Sequence, residues 1–263
     1  MNSQKPKIRD NKRGSFIRKP IIAAALVCLL AMQNKADVFD MRLYAKEPSC
    51  DAPITHIAND EKKIALTFDD GPDVRYTPEI LDILSEYNVK ATFFVIGSNC
   101  ELYPDLVLRE LKEGHEIGNH TYSHPRLTKI SAGRLVNEII ETENVLFEIC
   151  EYHPKLFRPP EGIYSNTVKR VIKRLDYIPV VWSVDTLDWK GSSADSIVKT
   201  VMSNPKSGMI ILCHDYISHN GCTPKALRSF IPKLQKQGYE FVTVSELLLN
   251  CKDSEIQKQL TSD

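Results

Sequence analysis

The amino-acid sequence predicts an α/β fold in which about seven parallel strands form a barrel and helices connect them. From residue 60 onward, short apolar runs alternate with longer amphipathic segments, which indicates parallel strands joined by crossover helices. The residues best suited to chemistry all fall where a predicted strand ends, and this placement is typical of the active face of a barrel. At 263 residues, with 42% hydrophobic and 26% charged side chains, the chain is long enough for one large domain of this type.

Each predicted strand is a short apolar run. The strands are Lys63–Phe68, Ala91–Gly97, His115–Asn119, Phe157–Arg158, Ile178–Val184, Met209–His214 and Phe241–Val244. Amphipathic segments between the runs are predicted to be helices. They are Pro78–Tyr87, Tyr103–Glu113, Ala132–Ile149, Asn166–Leu175, Ala194–Met202 and Pro224–Gln237. Helix starts are indicated by Thr77, Ser165 and Thr223, and helix ends by Gly114 and Gly238.

The N-terminal region has the composition of a targeting segment. Residues 1–20 carry seven Lys and Arg side chains against one acidic residue, and they precede the twelve-residue apolar run Ile21–Met32. A helix of that length spans roughly 18 Å, which is short of the ~30 Å hydrocarbon core of a membrane. Residues 1–36 are therefore predicted to be a secretory signal peptide. An uncleaved membrane anchor is the alternative, because Asn34 stands where a cleavage site calls for a small residue.

The rest of the chain is divided by composition into a lead-in segment at 37–58, a folded domain at 59–251 and a polar tail at 252–263. Beyond residue 20 the chain holds 27 basic and 33 acidic side chains, once seven and one are taken from 34 of each. This mildly acidic body lacks the positive surface that nucleic-acid binding requires, so no nucleic-acid partner is expected.

Six cysteines lie outside the targeting segment, and an even number in an exported chain permits disulfides without giving their pairing. They are Cys50, Cys100, Cys150, Cys213, Cys222 and Cys251. A bridge between Cys50 and Cys251 would tie the two ends of the domain together. The alternative is that the cysteines are small buried hydrophobic residues.

Two carboxylates, Asp69 and Asp70, end an apolar run and stand before a Gly-Pro turn, and His120 and His124 follow fifty residues later. Residues four apart can face one point if the segment makes a helical turn. One carboxylate with two imidazoles forms a set of three metal ligands that leaves positions open for water and substrate. Taken alone, the two aspartates indicate an Asx turn. Taken alone, the two histidines would be interpreted as ordinary surface or core residues. Their combination predicts a metal site with a second carboxylate beside it.

Five motifs occur in a fixed order, and together they carry a resemblance to a known family. The motifs are Thr67-Phe68-Asp69-Asp70-Gly71-Pro72, His120-Thr121-Tyr122-Ser123-His124, Arg158-Pro159-Pro160-Glu161-Gly162, Asp185-Thr186-Leu187-Asp188-Trp189 and Leu212-Cys213-His214. With them, the chain resembles the polysaccharide deacetylases, carbohydrate esterase family four, over roughly residues 60–250. The resemblance implies a distorted, incomplete (β/α) barrel, makes 59–251 the catalytic domain, and implies metal-dependent removal of N-acetyl or O-acetyl groups from sugar polymers.

The resemblance also assigns roles to residues. Asp70, His120 and His124 are expected to hold one divalent metal ion, which we take to be zinc, with cobalt, nickel and manganese as alternatives. The first aspartate of the pair, Asp69, is expected to act as the base that takes a proton from the attacking water. His214 is expected to be the general acid that protonates the leaving amine. Without the motifs, His214 would be read as a buried imidazole bound to a backbone carbonyl.

Three more polar residues at strand ends are expected to support this chemistry. Arg158 offers a fixed fork of hydrogen-bond donors, with Asp69 as the expected partner. Of Asp185 and Asp188, one is expected to orient His214 and the other to steady Arg158; we favour Asp188 for His214. Asp215 adjoins a motif but is set aside, because neighbouring side chains in a strand point apart.

Six residues are expected to line the substrate pocket: Pro160, Glu161, Gly162, Tyr164, Trp189 and Leu212. Trp189 would form a wall for the acetyl group or sugar, although a lone Trp after a strand is more often a core residue. Glu161 departs from the family, which commonly carries Tyr at this place. The family uses the backbone N–H there, so the activity can survive while a carboxylate alters substrate preference.

The sequence therefore predicts an exported, monomeric metal-dependent N-deacetylase of polysaccharides that contain N-acetylglucosamine, with peptidoglycan favoured. It would be secreted or anchored at the extracellular face of the membrane, and its N-terminal segment would contact the membrane during export or as the anchor. Alternative substrates are chitooligosaccharides, another exopolysaccharide and acetylxylan. A glycan-binding surface protein without catalysis is the alternative from another class. A phosphohydrolase is disfavoured, since it needs basic residues for phosphate and Arg158 is the one Lys or Arg within the motifs.

Overall fold

The computed structural model describes residues 52–57, 59–217 and 221–249, which belong to one compact unit. The predicted signal peptide or anchor, most of the lead-in segment, the polar tail and the proposed Cys50–Cys251 bridge lie outside these residues. Within the described part of the chain, no helix has both the length and the apolar character that a membrane crossing needs. The four cysteines described there are free thiols: Cys100, Cys150, Cys213 and Cys222.

The described strands form one parallel sheet that curls into an incomplete barrel, as predicted. They are β1 (Lys63–Asp69), β2 (Thr92–Val95), β3 (Glu116–Asn119), β4 (Leu156–Phe157), β5 (Ile178–Pro179), β6 (Val184–Asp185), β7 (Ile210–His214) and β8 (Glu240–Val242). Their order across the sheet is β5-β4-β3-β2-β1-β7-β6, and β8 pairs with β1 beside this path.

Helices surround the sheet and supply the crossover connections that parallel strands require. They are α1 (Thr77–Glu86), α2 (Gly97–Leu102), α3 (Pro104–Lys112), α4 (Ala132–Cys150), α5 (Asn166–Arg174), α6 (Ala194–Met202), α7 (Thr223–Lys236) and α8 (Val244–Leu249). The main core packs β1, β2 and β7 against α1, α4, α6 and α7, and a second cluster on the other face of the sheet includes side chains of α8.

Strand β1 is central and buried on both faces, which explains its almost continuous apolar sequence. One edge pairs with β7 from Ala65 opposite Ile210 to Asp69 opposite His214. The other edge pairs with β8 near the start of β1 and with β2 near its end. Because parallel strands end on the same side of a sheet, this register places Asp69 and His214 side by side at the open end of the barrel.

The predicted strand Ile178–Val184 is instead two short strands at opposite ends of the sheet, β5 and β6. Pro179 has no N–H to donate to a ladder, and the chain leaves β4 soon afterwards. The N–H of Val181 donates to the carbonyl of Ile54 at 2.8 Å, and that of Ser183 donates to Ile210 at 3.0 Å. Residues 180–183 thus connect β5, at one end of the sheet, with β6 at the other end. Ile54 forms a hydrogen bond with this connecting segment.

Of the three residues predicted to start helices, one caps its helix, and the other two use their hydroxyl groups for contacts outside the helix. Ser165 caps α5 as predicted, since its Oγ accepts a backbone N–H of the first turn at 3.3 Å. Thr77 and Thr223, in contrast, are the first residues of α1 and α7, and their hydroxyls donate to buried carboxylates. Thr77 bonds Asp215 at 2.6 Å and Thr223 bonds Asp188 at 2.8 Å. Both helix starts therefore support the open end of the barrel.

Candidate functional site

Three ligand-type side chains meet at the open end of the barrel. One donor atom from each of Asp70, His120 and His124 lies within 4.8 Å of the other two, and Oδ1 of Asp70 is 3.4 Å from Nε2 of each histidine. This oxygen is buried and has no hydrogen-bond partner among the described residues. A buried acceptor without a donor is costly unless a cation binds it. One carboxylate oxygen and two imidazole nitrogens fit a divalent transition metal with open coordination positions.

The pKa shifts of Asp70 and His124 favour their metal-binding forms. Burial lowers the pKa of His120, but Asp69 and Asp70 raise it more, so a metal ion would have to displace a proton from this imidazole. Burial raises the pKa of Asp70, but the imidazoles of His120, His214 and His124 lower it more, and the result is a pKa of about 2. Nδ1 of His120 lies 2.8 Å from the carbonyl oxygen of Arg158, which can only accept, so Nδ1 carries the proton and Nε2 is left as the ligand atom. Burial, with the neighbouring His120, lowers the pKa of His124 and so favours its neutral, ligating form.

The segment that carries the two histidines is a compact loop and not the helical turn that would also bring them together. Thr121 and His124 have φ angles of 71° and 50°, in the left-handed region that non-glycine residues rarely adopt. Oδ1 of Asn119 accepts the N–H of Thr121 at 2.9 Å and so supports the first of these conformations. The two imidazole rings come within 5.1 Å between centroids.

Asp69 and Arg158 form a buried ion pair, as expected. Nη1 of Arg158 donates to Oδ1 of Asp69 at 2.6 Å and to the hydroxyl of Thr67 at 2.8 Å. Burial lowers the pKa of Arg158 while the charge of Asp69 acts against that shift. The guanidinium carbon also lies 4.0 Å from the centre of the Phe94 ring. Oδ2 of Asp69 is 3.8 Å from Nε2 of His120, so the carboxylate also borders the metal cluster.

His214 is held by Asp188, the partner favoured from the sequence. Nδ1 of His214 lies 2.7 Å from Oδ1 of Asp188, and the backbone N–H of His214 donates to Oδ2 at 2.8 Å. Burial lowers the pKa of His214, but Asp188 raises it more, and the result is about 9. Since Nδ1 is engaged with the carboxylate, Nε2 is the atom that can exchange a proton with a substrate.

The expectation that Asp185 steadies Arg158 is wrong. Oδ1 of Asp185 accepts the N–H of Leu187 at 2.8 Å, where the backbone has a φ of 57°. The donors of Arg158 are taken by groups from β1 and from the segment after β5: Asp69, Thr67 and the carbonyls of Val180 and Val181. Asp185 therefore shapes the turn that leads to Asp188 and does not contact the ion pair.

The predicted substrate residues in the last two motifs lie in different environments. The side chain of Trp189 follows Asp188 and is 46% exposed, with the ammonium of Lys190 at 4.6 Å from its ring centre. Leu212 is buried within β7, and its carbonyl accepts the hydroxyl of Thr186 at 2.7 Å. Only Trp189 of these two presents its side chain to solvent.

The predicted substrate residues of the third motif form one short turn. Pro160, Glu161 and Gly162 make a 3-10 turn in which Glu161 has a φ of 56°. Its Oε1 lies 3.7 Å from Nε of Arg126, and both side chains are largely exposed, so the pair contributes little stability. Tyr164 packs against the core cluster between α4 and α5.

Asp215 belongs to the site although sequence reasoning set it aside. Strand β7 ends at His214, so the rule that neighbours in a strand point apart does not apply to Asp215. Its carboxylate is 1% exposed, and a Cβ added at Gly71 would lie 1.9 Å from Oδ2. Burial raises the pKa of Asp215 to about 7. The carboxylate thus fills the space beside the turn that follows Asp70, and the glycine in the first motif was the available signal.

Known proteins are similar to this chain in sequence and in fold. The family model described as polysaccharide deacetylase matches residues 56–180. A peptidoglycan-N-acetylglucosamine deacetylase from Bacillus cereus is 47% identical over 194 residues, which cover 73% of this chain and 91% of that protein.

Two solved structures have closely similar folds. A crystal structure of a peptidoglycan N-acetylglucosamine deacetylase in complex with 4-naphthalen-1-yl-N-oxidanyl-benzamide has a TM-score of 0.70 at 44% identity, covering 74% of this chain and 91% of the other. A family 4 acetyl xylan esterase from Clostridium thermocellum, in complex with a cobalt ion, has a TM-score of 0.67 at 37% identity, covering 71% and 90%.

Proposed function

The chain belongs to the polysaccharide deacetylase family, and on this premise we propose that it is a metal-dependent N-deacetylase of glycans containing N-acetylglucosamine, acting on peptidoglycan and releasing acetate. One observation carries the proposal. A cluster of three metal-ligand side chains borders an aspartate fixed by a buried arginine, and a histidine fixed by a buried aspartate is the neighbour of that aspartate on the next strand. Amide hydrolysis needs these three functions together: activation of the carbonyl, a base for water and an acid for the amine.

Asp70, His120 and His124 would hold the ion. When bound, a divalent cation supplies Lewis acidity, which polarises an acetyl carbonyl and makes water a stronger acid. Two nitrogen ligands and one oxygen ligand suit zinc, which is our first choice, and cobalt, nickel and manganese are the alternatives. The cobalt ion in the related esterase supports a transition metal in this family.

Asp69 is proposed as the base. Arg158 engages its Oδ1, which fixes the carboxylate plane and keeps a positive charge beside it. Oδ2 lies on the side of the ligand cluster, 3.8 Å from Nε2 of His120. A base must be within about 2.6–3.2 Å of the proton donor, so the water that Asp69 activates would have to lie beside the cluster, next to Oδ2.

His214 is proposed as the general acid. It is the neighbour of Asp69 across paired strands, so base and acid lie side by side at the open end of the barrel. Asp188 binds Nδ1 and stabilises the protonated imidazole, and Nε2 then has a proton to give to the leaving nitrogen. The raised pKa of about 9 keeps this proton in place at neutral pH.

The location proposed for the protein follows from its substrate and from its N-terminal sequence. Peptidoglycan lies outside the cell membrane, and the basic block followed by Ile21–Met32 directs export. We place the catalytic domain, as a monomer, at the extracellular face, either secreted or held by the N-terminal segment.

The decisive experiment is an acetate-release assay with the metal-loaded full chain on peptidoglycan, chitin oligomers and acetylxylan. Mass spectrometry of the glycan fragments would show the loss of acetyl groups and the sugar that loses them. Release from peptidoglycan that stops with a chelator and returns with zinc supports the proposal. Release from acetylxylan alone would favour the O-deacetylase, to which the esterase relative points. Binding without release from any of the three would favour a non-catalytic glycan-binding protein.

A further inference from the structure

The loop between the two histidine ligands has hydrogen-bond partners for its inner peptide groups. The carbonyls of Thr121 and Tyr122 accept the N–H groups of Gly97 and Ser98 at the start of α2, each at 3.0 Å. Asn119 accepts the N–H of Thr121. The first half of the loop is therefore fixed by groups from β3 and α2.

The second half of the loop is fixed by one buried carboxylate, that of Glu138 on α4. The N–H of Ser123 donates to Oε2 of Glu138 at 2.8 Å, and the hydroxyl of Ser123 lies 2.9 and 3.0 Å from the two carboxylate oxygens. Glu138 is 8% exposed, and Nε of Arg134 is 3.8 Å from its Oε1. Both carboxylate oxygens of Glu138 are therefore in contact with Ser123, and these contacts depend on where the oxygens lie.

The two histidines differ in what orients them. The backbone N–H of His120 donates to the carbonyl of Val95, and its ring Nδ1 donates to the carbonyl of Arg158. The side chain of His124 is 33% exposed, and its Nε2 lies 3.4 Å from Oδ1 of Asp70. No other described residue contacts this imidazole through a hydrogen bond or an ion pair. Metal-binding histidines usually have such a partner on the second ring nitrogen. A carbonyl orients the imidazole of His120, whereas the orientation of the His124 imidazole must depend on the backbone conformation of its loop.

The backbone at His124 needs support of its own. Its φ of 50° lies in the left-handed region, which L-residues other than glycine rarely adopt. Glu138 binds the peptide N–H immediately before this residue and so opposes the relaxation of the Ser123–His124 segment to an ordinary conformation. We infer that Glu138 is a positioning residue that holds His124 in place for the metal ion. This inference rests on the proposed metal-dependent function.

The test compares metal affinity in the full chain and in four variants, E138A, E138D, E138Q and the control E141A. Glu141 is an exposed residue of the same helix. Zinc affinity is measured by competition with a chelator, the ligand geometry by the visible spectrum of the cobalt-loaded protein, and folding by thermal melting. We expect E138A to weaken zinc binding about 10–100-fold, the usual effect of losing a residue that orients a ligand, and to change the cobalt spectrum.

The two conservative variants separate position from charge. E138Q keeps an acceptor oxygen at the same reach for the Ser123 N–H, so its zinc affinity should remain close to that of the parent. E138D keeps the charge but withdraws it by one methylene, so it should weaken binding in the direction of E138A. If E138A does not melt cooperatively, the contrast between E138Q and E138D decides the question alone.

The opposite pattern, with E138D normal and E138Q weakened, would show that charge and not position is what matters, and would overturn the inference. So would E138A binding zinc with the affinity and cobalt spectrum of E141A. In both cases the parent still binds metal and the proposed function stands. A parent chain that binds no transition metal would overturn the proposed function together with the inference, which makes the two failures distinguishable.

Discussion

The two sides of the site are built in different ways. On the metal side, Asp70, Thr121 and His124 all have left-handed backbone conformations, with φ angles of 74°, 71° and 50°. On the acid side, His214 ends a regular strand, and one buried carboxylate, Asp188, binds both its ring and its backbone. The metal side therefore depends on many supports around two turns, whereas the acid side depends on one. Substitutions should separate the two sides.

The largest effect is expected from Asp70→Asn, which keeps the shape of the ligand and removes its charge. Zinc affinity should fall by more than the roughly 10–100-fold typical of residues behind the ligands, and acetate release should fall to the background rate. The hydrogen bonds of His214 with Asp188 should remain, because they do not involve Asp70. The pKa of His214 should fall, because Asp70 is one of the carboxylates that raise it, after Asp188 and Asp69. Calorimetric zinc titration gives the affinity.

The matched control for this substitution is Asp82→Asn, an aspartate whose side chain is 66% exposed on α1. It should bind zinc like the parent. Retention of full zinc affinity by D70N would mean that the ion is held by a different set of residues.

Asp188→Asn tests the acid side. The amide cannot stabilise a protonated His214, so kcat should fall by about 10²–10⁴-fold, the contribution typical of general acid–base catalysis, with zinc affinity unchanged. The pH dependence follows from the raised pKa of His214, about 9. The acid form exists below that value and is lost as pH rises through it, so activity should decline on the alkaline side. In D188N this decline should move to lower pH.

A pH–rate profile of kcat for both proteins checks this expectation. An alkaline limb at the same pH in D188N would assign the limb to a group other than His214. A loss of zinc affinity in D188N would show that the two sides are coupled more strongly than their separate contacts indicate.

Gly71→Ala acts where the two sides meet. The new Cβ would lie 1.9 Å from Oδ2 of Asp215, whose neighbour is His214, while Gly71 itself follows Asp70. Forcing an atom into a packed interior costs about 1–3 kcal/mol, so the melting temperature should fall, and both zinc affinity and the alkaline limb should shift. Gly133→Ala is the control, because a Cβ there meets nothing within 4 Å. Equal melting temperatures for the two variants would show that the Asp215 carboxylate does not constrain the turn at Gly71.

The sequence predicts the residues that end strands better than it predicts the groups that hold them. The ends of β1 and β7 can be identified because strand periodicity and turn residues are local signals. The contact between Thr77 and Asp215 joins residues 138 positions apart, and no local pattern contains it. The sequence therefore indicates only that Thr77 starts a helix, because threonine is a common capping residue, and it gives no sign of the bond to Asp215.

Backbone details escape prediction for a related reason. The spacing of His120 and His124 is compatible with a helical turn, and the left-handed loop that replaces it depends on Glu138, fifteen positions beyond Ser123. The split of the predicted strand at Pro179 depends on Ile54, from a segment that the sequence marks only as extended. In each case a distant partner overrides the local preference of the chain.

The smallest effect is expected from Trp189→Ala, on the exposed rim of the acid side. The backbone N–H of Trp189 donates to Oδ1 of Asp188 at 3.0 Å, and removal of the side chain leaves that bond in place. The substitution should therefore raise KM a few-fold, with kcat and zinc affinity unchanged, as expected for uniform substrate binding. Steady-state kinetics on glycan fragments, with Trp189→Phe as the conservative variant, gives both constants. A fall in kcat without a rise in KM would instead place the indole in the orientation of His214, and the acid side would then depend on more than one support.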